Sequence, residues 1–335
     1  MSEVGHQFWQ AYLVNFLFWS ALAQGSIAFV ATLNITHARW GRRYTHFAAC
    51  CLGFLPVCVV LVAVLLLGRH HIFPWVAEPV PEKAPYLNVP FLAAREVVGL
   101  VFLAFVSWKF LSTTRTTRER NEASPWAVIL IIAFMVVYSY MAFDLVMSLQ
   151  PTWYSTLLGA HYAVSSYFLG MAALCLMGWL RGGVPKEDRR KLSTLMFGFA
   201  LFWISLLWSQ YIVIWYGDMP AETLFVYLRF YRMPWSVVTM AVLALGFVFP
   251  FAVLMPRRSK VMGLVTLMAS SSIVIGLFLE RYVLVVPSLS PDTLSLGWIY
   301  LPVTAAFAGL FGLSYRLAAQ RIKPHEQQRN PCEAE

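Results

Sequence analysis

The chain has 335 residues, of which 59% are hydrophobic and only 12% charged, and its net charge is +9. A soluble globular domain carries roughly 25% charged residues, so this composition excludes a water-soluble fold. The basic excess reads as a topology signal, and nucleic acid is not an expected partner.

The useful unit is the apolar stretch of about 20 residues that crosses a bilayer. Nine are predicted: Phe8–Ile35, His46–Leu67, Val89–Leu111, Pro125–Leu149, Ser155–Leu180, Leu192–Tyr216, Pro234–Met255, Val261–Val286 and Leu294–Leu317. They are twice the length of a barrel strand and do not alternate polar with apolar residues, so the spanning element is the helix. The expected fold class is an all-α polytopic membrane protein with about nine transmembrane helices. Its helical domain covers residues 1–317, with helices 1–4 over about 8–149, helices 5–8 over about 155–286 and helix 9 over about 294–317. Residues 318–335 form a polar cytoplasmic tail.

Basic residues set the orientation. Arg39, Arg42 and Arg43 follow the first span, and Arg115, Arg118 and Arg120 the third. Arg181, Lys186, Arg189, Arg190 and Lys191 follow the fifth, Arg257, Arg258 and Lys260 the seventh, and Arg316, Arg321, Lys323 and Arg329 the ninth. That places 18 of the 25 Lys and Arg on one side; the other has Arg69, Lys83, Arg229, Arg232 and Arg281. By the positive-inside rule the N-terminus faces outward and the C-terminus the cytoplasm. No Lys or Arg precedes the first span, so a secretory leader is not expected and that span stays in the mature protein.

The cofactor inventory is sparse. Cys50, Cys51, Cys58, Cys175 and Cys332 form no C-x-x-C pair and no cluster-binding run. Four of them read as small apolar helix residues. Of the seven histidines only His161 lies well inside a helix, with no histidine partner at its depth. A bis-histidine haem and a metal site are therefore not expected, and electrons must travel on another subunit.

The ionisable groups within the spans are Arg95, Glu96, Asp144, His161, Glu280 and Arg281, all toward the outer side. Such residues normally face a bundle interior, pair with one another and mark a pathway or site. Tyr140 and Asp144 share a face of helix 4, as His161 and Ser165 do on helix 5. The short connection Gln150–Tyr154 makes these helices antiparallel neighbours, so Asp144 and His161 are placed to face one polar pocket. A carboxylate beside an imidazole suits proton transfer; a structural polar cluster would show the same pattern. Trp75, Trp153, Trp215 and Tyr216 read as interfacial anchors, and Gly25, Gly53 and Gly170 as points of close helix contact.

Several stretches carry a resemblance: Ala38–Gly41 (ARWG), Phe73–Trp75 (FPW), Tyr86–Pro90 (YLNVP), Phe143–Gly159 (FDLVMSLQPTWYSTLLG), Ile214–Thr223 (IWYGDMPAET) and Glu280–Pro287 (ERYVLVVP). Together they resemble the NrfD/PsrC-like family of quinone-binding membrane subunits, in particular the ActF-type subunit of alternative complex III, a quinol:electron acceptor (cytochrome c) oxidoreductase. The resemblance implies a pair of four-helix bundles plus one further helix in a bacterial cytoplasmic (inner) membrane. The implied partners are a paralogous ActC-like membrane subunit, an iron–sulfur subunit, c-type cytochrome subunits and lipids. Haems and iron–sulfur clusters would sit on those partners, and this chain would bind quinone or menaquinone at most. Its implied task is a proton pathway through Asp144, His161 and Tyr140, with Arg95, Glu96, Glu280 and Arg281 as quinone or proton-path residues. The chain departs from the family in having nine helices where ten are usual, the first being the one without a counterpart. It also has Asp218 in place of an Asn, and Ala221 in place of the first Glu of Pro-Glu-Glu-Thr.

A solute or ion transporter using the same outer polar cluster is the alternative. Transporters tend to show Gly- or Pro-interrupted helices at corresponding positions of two halves, a symmetry this sequence lacks.

The loop asymmetry makes a direct prediction. Single cysteines placed in Thr113–Ser124 or Gly182–Ser193 are expected to be shielded from a membrane-impermeant thiol reagent in intact cells, and those in Arg69–Asn88 to react. The opposite labelling pattern would overturn the assignment of sides.

Overall fold

A computed structural model of the protein describes residues 3–119, 123–180, 185–292 and 298–322. Among the described residues the regular structure is entirely helical. Among the described residues nine helices are long and apolar enough to cross a membrane: α1 (Val4–Ile35), α2 (Tyr44–Leu67), α3 (Val89–Thr114), α4 (Pro125–Leu149), α5 (Thr156–Leu180), α6 (Lys186–Gly217), α7 (Trp235–Leu254), α8 (Gly263–Leu289) and α9 (Tyr300–Ile322). They match the nine predicted spans one for one. Arg120, Arg181, Lys323, His325, Arg329 and Cys332 lie outside the described residues, as does most of the predicted tail.

Two boundaries differ from expectation for local reasons. α6 starts at Lys186 rather than Leu192, because Glu187 and Asp188 occupy its first turn, where carboxylates complement the helix dipole. It ends at Asp218, which adopts a left-handed conformation (φ 46°) and donates its N–H to the Ile214 carbonyl at 3.2 Å. After glycine, Asn and Asp tolerate that conformation best. α9 continues past Leu317 to Ile322. The connections from α2 to α3 and from α6 to α7 hold short helices at Arg69–Ile72, Pro74–Ala77 and Pro220–Phe230.

The spans assemble as two closed rings of four. In the first, α1 packs on α2, α2 on α3, α3 on α4 and α4 back on α1; in the second, α5, α6, α7 and α8 close the same way. α9 lies outside, against α1 and α2, and the rings join where α1 and α4 meet α5 and where α1 meets α8. A helix apolar on every side belongs in an interior, and α1 and α5 fill that place. In their apolar cores 89% and 78% of residues are buried, against 22–44% for the other seven.

What lets α1 and α5 come so close is the absence of side chains at two facing positions. A Cβ on Gly25 would collide with the Ser166 carbonyl, and one on Gly170 with the backbone of Gly25 and Ser26. The Ser26 hydroxyl uses the approach to donate across to the Gly170 carbonyl at 3.2 Å. Gly53 plays the expected part between α2 and α9, facing the Ser314 backbone. Between lipid-embedded helices, contact of this kind replaces the hydrophobic drive that water would supply.

Gly170→Ala is therefore expected to lower the melting temperature of the purified protein by several degrees, in keeping with the ~1–3 kcal/mol that overpacking costs. Gly198→Ala serves as the control, because nothing lies within 4 Å of the added methyl group, and it should leave the temperature unchanged or raise it. Equal effects would show that the α1–α5 contact does not limit stability.

Candidate functional site

The six predicted ionisable residues gather into two clusters. The first joins α3 to α4. Asp144, fully buried near the end of α4, receives two charge-assisted hydrogen bonds from Arg95: Nε to Oδ2 and Nη2 to Oδ1, both 2.8 Å. This fork-on-fork geometry is the strong form of an ion pair. The guanidinium is held between two rings, with its central carbon 4.0 Å from the centres of both Tyr86 and Phe91. Ser148 donates to the Asp144 carbonyl at 2.5 Å and closes the turn after α4. Glu96, one residue beyond Arg95, is buried, and its Oε2 has no hydrogen-bond partner.

The second cluster joins α5, α6 and α8. Arg281 is fully buried; both of its terminal nitrogens are bonded, and its Nε has no hydrogen-bond partner. Its Nη1 donates to Glu280 Oε2 at 2.9 Å, and its Nη2 to the Ser165 and Ser166 hydroxyls at 2.8 and 3.1 Å. The guanidinium carbon sits 4.1 Å above the Tyr162 ring. Glu280 Oε1 faces the other way. It accepts the indole N–H of Trp203 at 2.9 Å and stands 3.4 Å from His161 Nε2. Neither ring nitrogen of the buried His161 has a hydrogen-bond partner. Buried polar atoms are nearly always paired, so an unpaired imidazole requires a reason.

A distortion of α7 makes room for Trp203. Pro250 has no N–H to give the Gly246 carbonyl, and the helix widens into a π-turn at Ala244–Val248. Ser272 of α8 donates to the Leu245 carbonyl at 2.7 Å within that turn. With no side chain at Gly246 or Gly276, α8 comes against α7 and the far edge of the Trp203 indole reaches the widened turn. π-turns recur at functional sites for this reason: they hold a geometry a regular helix does not offer.

Another buried cation completes the floor. Arg229, on the short helix Pro220–Phe230, donates to the carbonyls of Val283 and Leu284 at 3.0 and 2.9 Å and to the Ser288 hydroxyl at 2.8 Å. Pro287 explains the first bond, because a proline four residues on leaves the Val283 carbonyl without its helical donor.

His161, Trp203, Glu280 and Arg229 line an inner crevice of about 60 Å³, together with the polar side chains of Gln210, Tyr211 and Thr239 and otherwise apolar ones. Leu207, Tyr211, Phe230 and Leu243 form its outer wall and also line an apolar groove of about 370 Å³, together with Trp208, Tyr231 and Met240. The groove opens on the membrane-facing side of α6 and α7, where Trp208, Tyr231 and Met240 are all at least half exposed. A hydrogen bond of 2.6 Å between the Tyr211 and Tyr231 hydroxyls crosses it. A buried water needs about 10–15 Å³, so the inner crevice has room for a few waters, while the groove is large enough for a ring.

Asp144 and His161 were expected to share one pocket, but the structure gives each its own partner, Arg95 for the first and Glu280 for the second. Tyr140 is 48% exposed and edge-on to Phe143, at the margin of the Arg95–Asp144 cluster, with no hydrogen bond to Asp144 or His161 among the described residues. Trp215 and Tyr216 are exposed as anchors should be; Trp75 and Trp153 are instead buried, and the Trp153 ring stacks on Phe225 at 3.5 Å. Trp203, Arg229, Tyr162 and Ser166 were missed as site residues. Only Arg229 left a signal in the sequence, a charge set against a helix interrupted by Pro287.

A scan against models of known protein families gives no match, and no curated protein matches the sequence. The functional reading therefore rests on the chemistry of the site and on the motifs above.

Proposed function

We propose that this chain is an integral membrane subunit of a quinol:electron acceptor oxidoreductase of the alternative complex III kind, in which His161 and Glu280 handle protons. One observation carries the reading. A buried imidazole with no hydrogen bond to either nitrogen stands 3.4 Å from a carboxylate, in a crevice that shares the wall of Leu207, Tyr211, Phe230 and Leu243 with an apolar groove on the surface. A quinol is an amphiphile of the membrane interior, and its oxidation releases two electrons and two protons. The electrons pass to clusters and haems on partner subunits. The protons need acceptors within reach, which a neutral imidazole and a nearby carboxylate provide.

Each neighbour has a part in that task. Arg281 fixes Glu280 through one oxygen and leaves the other facing His161. Trp203 holds that second oxygen in place. The groove between α6 and α7 takes the ring, and the narrow crevice beyond admits water or a proton donor and excludes bulk. Asp144, tied to Arg95 near the outer end of α4, is the acidic group on the way out. Tyr140 has no role in this scheme, because its ring lies toward the membrane.

The reading is tested in the assembled complex. His161→Gln is the cleanest variant, because the imidazole has no hydrogen bond to lose and the Arg281 network stays intact. Assembly with c-type cytochromes should be normal. Quinol-driven electron transfer should fall by about 10²- to 10⁴-fold, the usual contribution of a general base, and its pH dependence should flatten. Full activity would remove His161 from the proton path. A protein that purifies alone, without cytochromes or quinol turnover, would favour the transporter reading.

A further inference from the structure

A larger cavity, of about 1030 Å³, lies at the opposite end of the molecule from the His161 crevice and plays no part in the scheme above. It opens between the end of α1, the start of α6 and the connection from α7 to α8. Its floor is apolar and aromatic, formed by Phe29, Leu33, Tyr167 and Phe199. Its rim holds five cations: Arg190, Lys191, Arg257, Arg258 and Lys260.

Those charges are poorly compensated. Arg190 meets Glu187 at 3.6 Å, and both are largely exposed. Lys260 lies over the Phe197 ring at 4.7 Å. Among the described residues, Lys191, Arg257 and Arg258 form no ion pair. Three of the cavity's four hydroxyls are already in use, because Thr32, Thr36 and Thr194 each donate to a carbonyl four residues back in the chain; the fourth is that of Tyr167. The cavity thus offers a ligand positive charge at its mouth and hydrocarbon contact within, and little neutral hydrogen bonding.

An anionic head on an apolar body fits both features. Basic pockets between spanning helices are places where phosphate-bearing lipid head groups bind, and each nearby Lys or Arg strengthens such attraction. A soluble anion would use the rim and leave the aromatic floor unfilled. We propose that this cavity binds an anionic phospholipid from the leaflet on the basic side, with its phosphate among Lys191, Arg257 and Arg258 and the start of an acyl chain against Phe29 and Phe199.

Native mass spectrometry of the delipidated full-length protein tests this. Dioleoyl phosphatidylglycerol is titrated against dioleoyl phosphatidylcholine, with inorganic phosphate and glycerol phosphate as soluble competitors. The glycerol lipid should bind at least about tenfold more tightly than the choline lipid, and millimolar phosphate should not displace it. Lys191→Gln/Arg257→Gln/Arg258→Gln should lose about tenfold or more of that preference. Arg316→Gln/Arg321→Gln, exposed on α9 of the same face but outside the cavity, should keep it. Equal binding of the two lipids would overturn the proposal, as would an equal loss in the α9 variant. Displacement by inorganic phosphate would mark a soluble-anion site and overturn it too. If the triple variant does not fold, the lipid comparison and phosphate competition on the unaltered protein still decide.

Discussion

Arg281 has no exposed surface, and the second ring of helices is organised around neutralising it. An isolated charge inside a membrane protein is costly, so it must be paired and its remaining donors filled. Glu280 supplies the charge from the same helix, and Ser165 and Ser166 supply acceptors from α5. Removing one partner of such a pair typically costs about 3–5 kcal/mol, mostly from the charge left behind. The arrangement therefore clamps α8 to α5. Because Arg281 takes one oxygen of Glu280, the other is left to Trp203 and His161. The same interaction that holds the bundle sets the geometry of the site.

The rest of the architecture serves that clamp. Gly25 and Gly170 bring α1 against α5, the helix whose Tyr162 ring lies under the Arg281 guanidinium. The π-turn in α7 gives Trp203 space to reach Glu280. In the first ring, Arg95 and Asp144 close a second, independent pair between α3 and α4. Each ring thus carries an Arg–carboxylate pair, fully inside the protein in the second ring and with Arg95 partly exposed in the first, and in the second ring the carboxylate also faces an imidazole.

Much of this was legible in the sequence, and what was not has a physical reason. Hydropathy gave the nine spans because lipid forces every spanning backbone into the same helical solution. The small residues Gly25, Gly53 and Gly170 announced close contacts that the structure contains. The ionisable residues of the site that lie in spanning helices were all identifiable, since a charge there is conspicuous, whereas Arg229, on the short helix Pro220–Phe230, was not. Their pairing was not. Arg95 lies 49 residues from Asp144 and Trp203 lies 77 from Glu280, and helical spacing says nothing about contacts between helices. Glu280 and Arg281 are sequence neighbours, and helical spacing does not show that Trp203 of α6 and Ser165 and Ser166 of α5 bond to them. Trp75 and Trp153 suited an interfacial belt by position, yet the folded outer connections cover them.

A change of protonation at Glu280 is the event on which the proposed function turns. Infrared difference spectroscopy of the assembled complex, before and after reduction by quinol, reads it directly. The expected spectrum contains a carboxyl stretching band that shifts in deuterated water, disappears in Glu280→Gln and persists in Asp144→Asn. A band that survives in Glu280→Gln, or a spectrum with no carboxyl change, would contradict the assignment of proton handling to His161 and Glu280.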